Sequence, residues 1–455
     1  MTAQVNDSSS SSSATAVAAA QEAVPKPAYS LPILIWGSAA AFFFFQFIVR
    51  TSPSVSANQI MQDLSIQACV LGVVASMYYW GYTLMQIPVG LILDLVGVRY
   101  PLTIAIFMCV VGCFLFVGTD SLLVMSIGRL LMGVGSAFAF LSCVKTASVW
   151  FDAKHLPIIL GWTILIGPLG GVVGSGKPLA ALVSDYGWRQ SIMMLAFIGL
   201  GIAVMAWLLV RDDKRKGTKA EEIGKHELST FESFLVLLRN PQTYCYALYG
   251  TFMYVPISGF ADLWGAPYIE QAYSVDKVVA AGSASLVYLG VGIGGPVGAW
   301  VISYLQSYKK FLFMGSVLTC AMFSIIIYAP LPAYRLLIDL PGLQLYVLDV
   351  MFLLTGIFAS TQFFAFACVC LINPKNVRAT ATGIQNMAAM TTGIVFQPVI
   401  GWLLDWVWDG TLLDKAPVYT QNNYYVALSV VPISLLLACF VCLSLREVCS
   451  SDDEG

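Results

Sequence analysis

The chain has 455 residues, of which 58% are hydrophobic and 11% charged, and a formal net charge of -2. Soluble domains run nearer 45–50% apolar and about 25% charged. This composition therefore excludes a string of soluble catalytic domains, and a charge balance near zero says less than where the charges fall.

Residues 1–30 begin Ser/Ala-rich and without a basic start, and are expected to form a disordered cytoplasmic tail rather than a cleavable signal peptide. From Leu31 to Leu445 apolar stretches alternate with short polar breaks. A helix needs about 20 mostly apolar residues to cross a bilayer. The pattern predicts twelve such helices, over 31–57, 69–93, 101–118, 122–150, 157–183, 190–210, 242–268, 279–304, 311–328, 343–371, 380–404 and 422–445. The longest polar interruption, 211–241, mixes Arg211, Asp212, Asp213, Lys214, Arg215 and Lys216 with Glu221, Glu222 and Glu227. It reads as a cytoplasmic loop dividing an N-terminal six-helix bundle (31–210) from a C-terminal one (242–445), with 446–455 as a second cytoplasmic tail. The expected fold class is an all-α membrane protein of two pseudo-symmetric six-helix bundles.

Lys and Arg set the expected orientation. With the N-terminus inside, Lys177, Arg189, Lys277, Arg335 and Lys415 fall outside, and Arg50, Arg129 and Lys145 fall within helices. The remaining fifteen of the 23 lie inside, an excess that places both termini in the cytoplasm. The eleven cysteines are scattered, mostly inside apolar runs, and form no paired CxxC set. With only His155 and His226 as histidines, a disulfide framework, a zinc site or a Ser/His/Asp arrangement is not expected. No glycine cluster resembles a phosphate-cradling loop with its lysine, so ATP hydrolysis is not expected either. The chain is read as a non-enzyme without a cofactor.

The two halves echo one another. Pro88-Val89-Gly90 ends the second stretch and Pro296-Val297-Gly298 the eighth, with Tyr82 and Tyr288 shortly before each. Paired six-helix halves with a site between them near the midplane are a recurrent transporter plan. Gly90-Leu-Ile-Leu-Asp94-Leu-Val-Gly97-Val-Arg99 resembles the loop 2–3 signature of the major facilitator superfamily, Gly-x-x-x-Asp-Arg-x-Gly-Arg, with Leu95 in place of the first Arg. Arg129-Leu-Leu-Met-Gly133-Val-Gly135 is similar to the family's Arg-x-x-x-Gly-x-Gly pattern, and Gly187-Trp188-Arg189 is also family-like. Gly167-Pro168-Leu-Gly170-Gly171 resembles part of the antiporter motif with its spacing one residue short. The resemblance implies a twelve-helix alternating-access transporter in which Asp94, Arg99 and Gly90 form a cytoplasmic latch between the halves. Within the superfamily, Phe47-Ile-Val-Arg50-Thr-Ser-Pro53, Ala261-Asp262-Leu-Trp264-Gly265 and Phe396-Gln397-Pro398-Val-Ile-Gly401-Trp402 look similar to a bacterial branch that includes phagosomal amino-acid transporters.

Charge inside a membrane helix costs several kcal/mol and faces the bundle interior as a rule. Arg50, with Gln46 one turn earlier, offers a fork of donors to a carboxylate or phosphate, or snorkels to the outer headgroups. Asp262, the one acid deep in the seventh stretch, reads as a partner of Arg50, a ligand for an ammonium, a proton carrier, or a helix-end residue. Asp349 is a further coupling candidate. Arg129 reads either as a coupling residue or as a ligand of neighbouring backbone carbonyls, and Lys145 either as a solute contact or as a snorkelling side chain. Tyr78, Tyr79, Trp80 and Tyr82 are packing or interfacial residues, or a wall that stacks on the solute. Gln362, Gln385, Asn386 and Gln397 are polar groups at lipid depth that need partners across helices. Together with Trp264, these residues make up the expected solute site: Gln46, Arg50, Tyr78, Tyr82, Asp262, Trp264, Gln362, Gln385 and Asn386.

An Arg and an Asp on one cavity suit a zwitterion. The expectation is proton-coupled uptake of an amino acid or similar small solute by a monomer in a bacterial inner membrane, with no nucleic-acid partner. The rivals are an organic-anion or phosphate-ester exchanger gripping its solute with Arg50 and Lys145, a siderophore or drug exporter, and a non-transporting membrane sensor. Amino-acid transport should depend on Asp262, whereas anion exchange should survive Asp262→Asn and fail with Arg50→Ala.

Overall fold

The structure, a computed structural model, describes residues 30–152, 154–212, 237, 239–328, 343–374, 377–413 and 416–448. The expected N-terminal tail, most of the 211–241 loop and the end of the C-terminal tail lie outside the described residues. The first half contains α1 (Ser30–Leu64), α2 (Ala68–Val96), α3 (Arg99–Val117), α4 (Leu122–Ser136), α5 (Phe138–Trp150), α6 (Leu156–Ser175), α7 (Lys177–Tyr186) and α8 (Trp188–Leu209). The second contains α9 (Pro241–Val255), a π-helical segment (Pro256–Trp264), α10 (Gly265–Tyr273), α11 (Lys277–Leu305), α12 (Tyr308–Tyr328), α13 (Leu343–Ala359), α14 (Thr361–Ile372), α15 (Arg378–Trp406), α16 (Gln421–Leu428) and α17 (Val430–Leu443). A two-stranded ribbon, β1 (Leu412–Leu413) with β2 (Ala416–Pro417), follows α15.

The shorter helices join into longer rods: α4 with α5, α6 with α7, α13 with α14, and α16 with α17. Among the described residues eleven rods are long and apolar enough to cross a membrane. The twelfth runs over 241–273. It is helical throughout, but its π segment divides it into lengths of 15, 9 and 9 residues. The breaks within the rods and the π segment have no counterpart in the hydropathy pattern, which averages over a whole crossing.

One boundary differs from expectation in a way that matters. The first helix continues to Leu64 rather than stopping near 57. Its last turns carry Ser54, Ser56, Asn58, Gln59, Gln62 and Asp63, so hydropathy reads them as loop. Protein covers one face of these turns: Ala57 and Ile60 are fully buried, and Ser54 and Ser56 are buried beside them. The longer helix moves Arg50 inward, with fourteen residues beyond it, or about 21 Å of helix at 1.5 Å per residue.

Three pairings join the halves: α1 with the π segment and α10, α2 with α15, and α6–α7 with α11. An even number of crossings puts the start of α1 and the end of α17 on one face, here called the termini face. Toward the opposite, far face the pairings are tight. A Cβ on Gly72 would lie 2.5 Å from the Gln397 carbonyl oxygen, and one on Gly401 would lie 2.4 Å from that of Ala68, so only glycine lets α2 and α15 touch backbone to backbone. Toward the termini face, positions 161, 295 and 383 have no neighbouring atom within 4 Å of where a Cβ would sit. The helices that run to the termini face, α5 and α14, make their main pairings within their own halves, so the halves close together at the far face and part toward the termini face.

Candidate solute site between the two halves

The site begins with the π segment. Pro256 opens it and supplies no N–H to the helical ladder. The wider π turn re-aims the residues that follow, a geometry common at functional positions. All nine residues are buried. α15 braces it: Gln397 Nε2 donates to the Ser258 carbonyl at 2.9 Å, Trp264 Nε1 donates to the backbone carbonyl of Gln397 at 3.1 Å, and the hydroxyls of Ser258 and Thr392 lie 2.6 Å apart. The braced segment presents Asp262 to the first half.

There Asp262 meets Arg50. Arg50 Nε lies 3.3 Å from Asp262 Oδ2, and the two side chains are 4% and 0% exposed. The pair spans the interface between the halves. Tyr79 Oη donates to the same carboxylate oxygen. Asp262 Oδ1 has no hydrogen-bond partner among the described residues. Arg50 Nη2 donates to Tyr288 Oη at 3.3 Å, and its guanidinium sits 4.3 Å above the Phe47 ring. A buried ion pair gives back much of its Coulomb energy in desolvation, and losing one partner strands the other as an unpaired buried charge. The pair is thus poised to exchange partners rather than to stand apart.

The first half continues this network. Tyr78 Oη donates to Gln46 Oε1 at 2.7 Å, and its ring stacks on Tyr82 at 6.2 Å and meets Tyr79 edge-on at 5.7 Å. Arg129, 1% exposed, lies 5.0 Å from the Tyr78 ring. It donates to the carbonyls of Val49 (3.0 Å), Arg50 (3.2 Å) and Ala75 (3.4 Å). Of the two readings of Arg129, the bonds are those of a backbone ligand, and they hold the very turn of α1 that carries Arg50.

Gln46, Arg50, Tyr78, Tyr82 and Asp262 therefore converge, and the snorkelling and helix-end readings of Arg50 and Asp262 do not describe this structure. The other candidates sit elsewhere. Trp264 is fully buried and serves the α15 brace. Gln385 Nε2 donates to the Tyr246 carbonyl at 3.3 Å within the second half. Gln362 is buried, and its Nε2 has no partner among the described residues. Asn386 Nδ2 donates across the halves to Gln86 Oε1 at 2.6 Å, two turns toward the termini face from Tyr79. Asp349 accepts from Ser283 Oγ at 2.5 Å, between α13 and α11. Lys145 donates to Asp94 Oδ1 at 2.5 Å and to the Leu93 carbonyl at 2.7 Å, so it grips α2 and not the Arg50 network.

The expected latch residues also make their contacts within the first half. Asp94 holds Lys145, while Arg99 Nη2 donates to the Trp207 carbonyl at 3.1 Å and its guanidinium lies 4.8 Å from the Trp207 ring. A Cβ on Gly90 would meet only Leu141, at 3.9 Å, so in this state Gly72, not Gly90, brings α2 against the other half. With the termini-face ends apart, a latch there has nothing to engage.

Sequence reasoning gave Tyr288 and Phe47 no site role, and Tyr79 only the packing-or-wall reading it shares with Tyr78, Trp80 and Tyr82. The repeat of Tyr82 and Tyr288 ahead of matching Pro-Val-Gly tripeptides was the signal for Tyr288. Tyr79 had none beyond its place in an aromatic run. At the far face, Arg189 bridges Asp63 (3.2 Å) and Asp120 (2.5 Å), and Trp188 Nε1 donates to Asp63 at 3.1 Å. Asp63, Trp188 and Arg189 border a surface cleft of 810 Å³ that also includes Gln59 and Gln62 and holds none of the Arg50 network. Among the described residues no group of three or more His, Cys, Asp or Glu is placed to hold a metal ion.

Two helical bundles that meet on a buried, charged interface match a recurrent transporter plan. The sequence profile of the Major Facilitator Superfamily matches residues 35–398, and the chain belongs to that family. It is a multi-pass membrane protein and a secondary transporter. It is 25% identical over 390 residues to a hexuronate transporter of Bacillus subtilis (strain 168), covering 82% of this chain and 88% of that one. It is 26% identical over 288 residues to the membrane sensor protein UhpC of Salmonella typhimurium (strain LT2), covering 59% of this chain and 62% of that one. Among solved structures it resembles a bacterial homolog of the human lysosomal transporter Spinster in an inward-facing, unoccupied conformation, with a TM-score of 0.74 and 14% identity over 92% of this chain and 97% of that one.

Proposed function

We propose that the chain is a proton-coupled carrier for a small carboxylate-bearing solute, working as a monomer in a bacterial inner membrane with the termini face in the cytoplasm. The observation that supports this reading is the buried ion pair of Arg50 and Asp262, held by opposite halves. A solute anion takes Arg50 only if Asp262 gives it up. A proton on Asp262 removes the competing charge, and the Arg fork then receives the carboxylate in bidentate fashion. Proton and anion thus enter the site together. When both leave, the ion pair re-forms and draws the halves back together. Asp262 Oδ1, without a partner among the described residues, is the atom open to the proton. The aromatic wall of Tyr78 and Tyr82 would face the rest of the solute.

The hexuronate transporter's named solute is also a carboxylate, which favours an anion over the zwitterion that Arg and Asp together first suggest. In the zwitterion reading Asp262 would carry the solute's ammonium and would have no proton to move. A thermal-shift series on the purified protein tests the solute class: galacturonate, tartrate, glutamate, alanine, glucose and glucose 6-phosphate. A ligand at a hundred times its Kd adds about 2.7 kcal/mol to apparent stability. The simple acids should raise the melting temperature of the wild type and leave Arg50→Lys unmoved, since Lys keeps the charge but loses the fork. A shift with glucose or the sugar phosphate alone would refute the reading. Solute flux in proteoliposomes separates a carrier from a sensor like the Salmonella relative.

A further inference from the structure

The far face carries a joint that the site does not use. α2 has no cap of its own, because its N-cap residue Gln67 makes no side-chain bond to the helix. The first N–H groups of a helix need partners. Here they come from the other half of the molecule. Asp405, in the last turn of α15, accepts from the Ala68 N–H at 3.1 Å and from the Cys69 N–H at 2.8 Å, one bond to each carboxylate oxygen. Tyr419, on the segment after the β-ribbon, accepts from Ala68 N–H at 3.0 Å and donates to Asp405 Oδ1. Ala68 is fully buried and Tyr419 is 4% exposed. The crossing of Gly72 and Gly401 lies beside it.

We propose that Asp405 and Tyr419 form the gate of the far face, a cap supplied in trans that favours the conformation open at the termini face. A carboxylate at a helix N-terminus gains from the helix dipole as well as from its charge-assisted bonds. Opening the far face separates α15 from α2. It strips the cap and leaves the Ala68 and Cys69 N–H groups bare, while a cap within one half would cost nothing on opening. Asp405 is thus a positioning residue: it touches no solute and biases which face is open.

Hydrogen–deuterium exchange on the full chain in nanodiscs tests this, comparing wild type, Asp405→Asn, Gln67→Asp and the double variant. Asp405→Asn keeps the shape and removes the charge. It should raise exchange over residues 66–76 and lower it over 84–96 as the termini face closes, each by roughly tenfold. Gln67→Asp gives α2 a cap of its own from an extended, exposed N-cap position. In the double variant, protection near Ala68 should return while 84–96 stays protected. A local cap without a gating role would give no change over 84–96 in Asp405→Asn, or a double variant restored to wild type at both segments. Either result overturns the proposal.

Discussion

At the residue scale, four side chains hold one another: Arg50, Asp262, Tyr79 and Tyr288. Two of them were legible in the sequence, because a charge in a membrane helix stands out against an apolar background. The tyrosines were not, since a buried aromatic that donates a hydrogen bond has the same letter as one that only packs. Their role can be measured. Tyr79→Phe removes a donor from a fully buried carboxylate, and a buried acceptor left short of a partner costs about 1–3 kcal/mol. The thermal unfolding midpoint of Tyr79→Phe should fall accordingly, and that of Tyr82→Phe, a half-buried residue that serves no buried carboxylate, should fall less. Equal midpoints for Tyr79→Phe and wild type would show that the Tyr79–Asp262 contact is not made.

At the element scale, the twelve crossings follow from hydropathy, but three features do not. The polar last turns of α1 are helical because protein, not lipid, covers them. The π segment owes its form to Pro256 and to bracing by α15, a tertiary cause that composition cannot show. The crossing of α2 and α15 depends on which glycine faces which backbone. Gly72→Val should destabilise by about 1–3 kcal/mol through overpacking against the Gln397 carbonyl. Gly90→Ala meets nothing closer than 3.9 Å and should hold or raise stability by up to about 1 kcal/mol, from helix propensity. Thermal unfolding of the two variants side by side decides between these assignments. A destabilised Gly90→Ala with a neutral Gly72→Val would reverse them.

At the scale of the whole molecule, the two halves meet along a closed face and, among the described residues, across the buried Arg50–Asp262 ion pair. Sequence repetition signalled the halves, and the family motifs signalled their rocking. Which face is closed was beyond the sequence, because the same residues must fit both states. The latch residues Asp94 and Arg99 show this: their motif is legible, yet here each bonds within its own half. In a carrier whose cavity closes and opens at alternate faces, both states must accommodate the Arg50–Asp262 pair, and in the coupling we propose a proton on Asp262 releases it.

The most direct test is uptake of the stabilising acid into proteoliposomes under an imposed pH gradient, acidic outside, with Asp262→Asn beside the wild type. The wild type should accumulate the acid against its gradient. Asp262→Asn, unable to carry the proton, should accumulate none and still exchange external for internal solute at a rate within about tenfold of wild type. Accumulation by Asp262→Asn at the wild-type level would contradict the account.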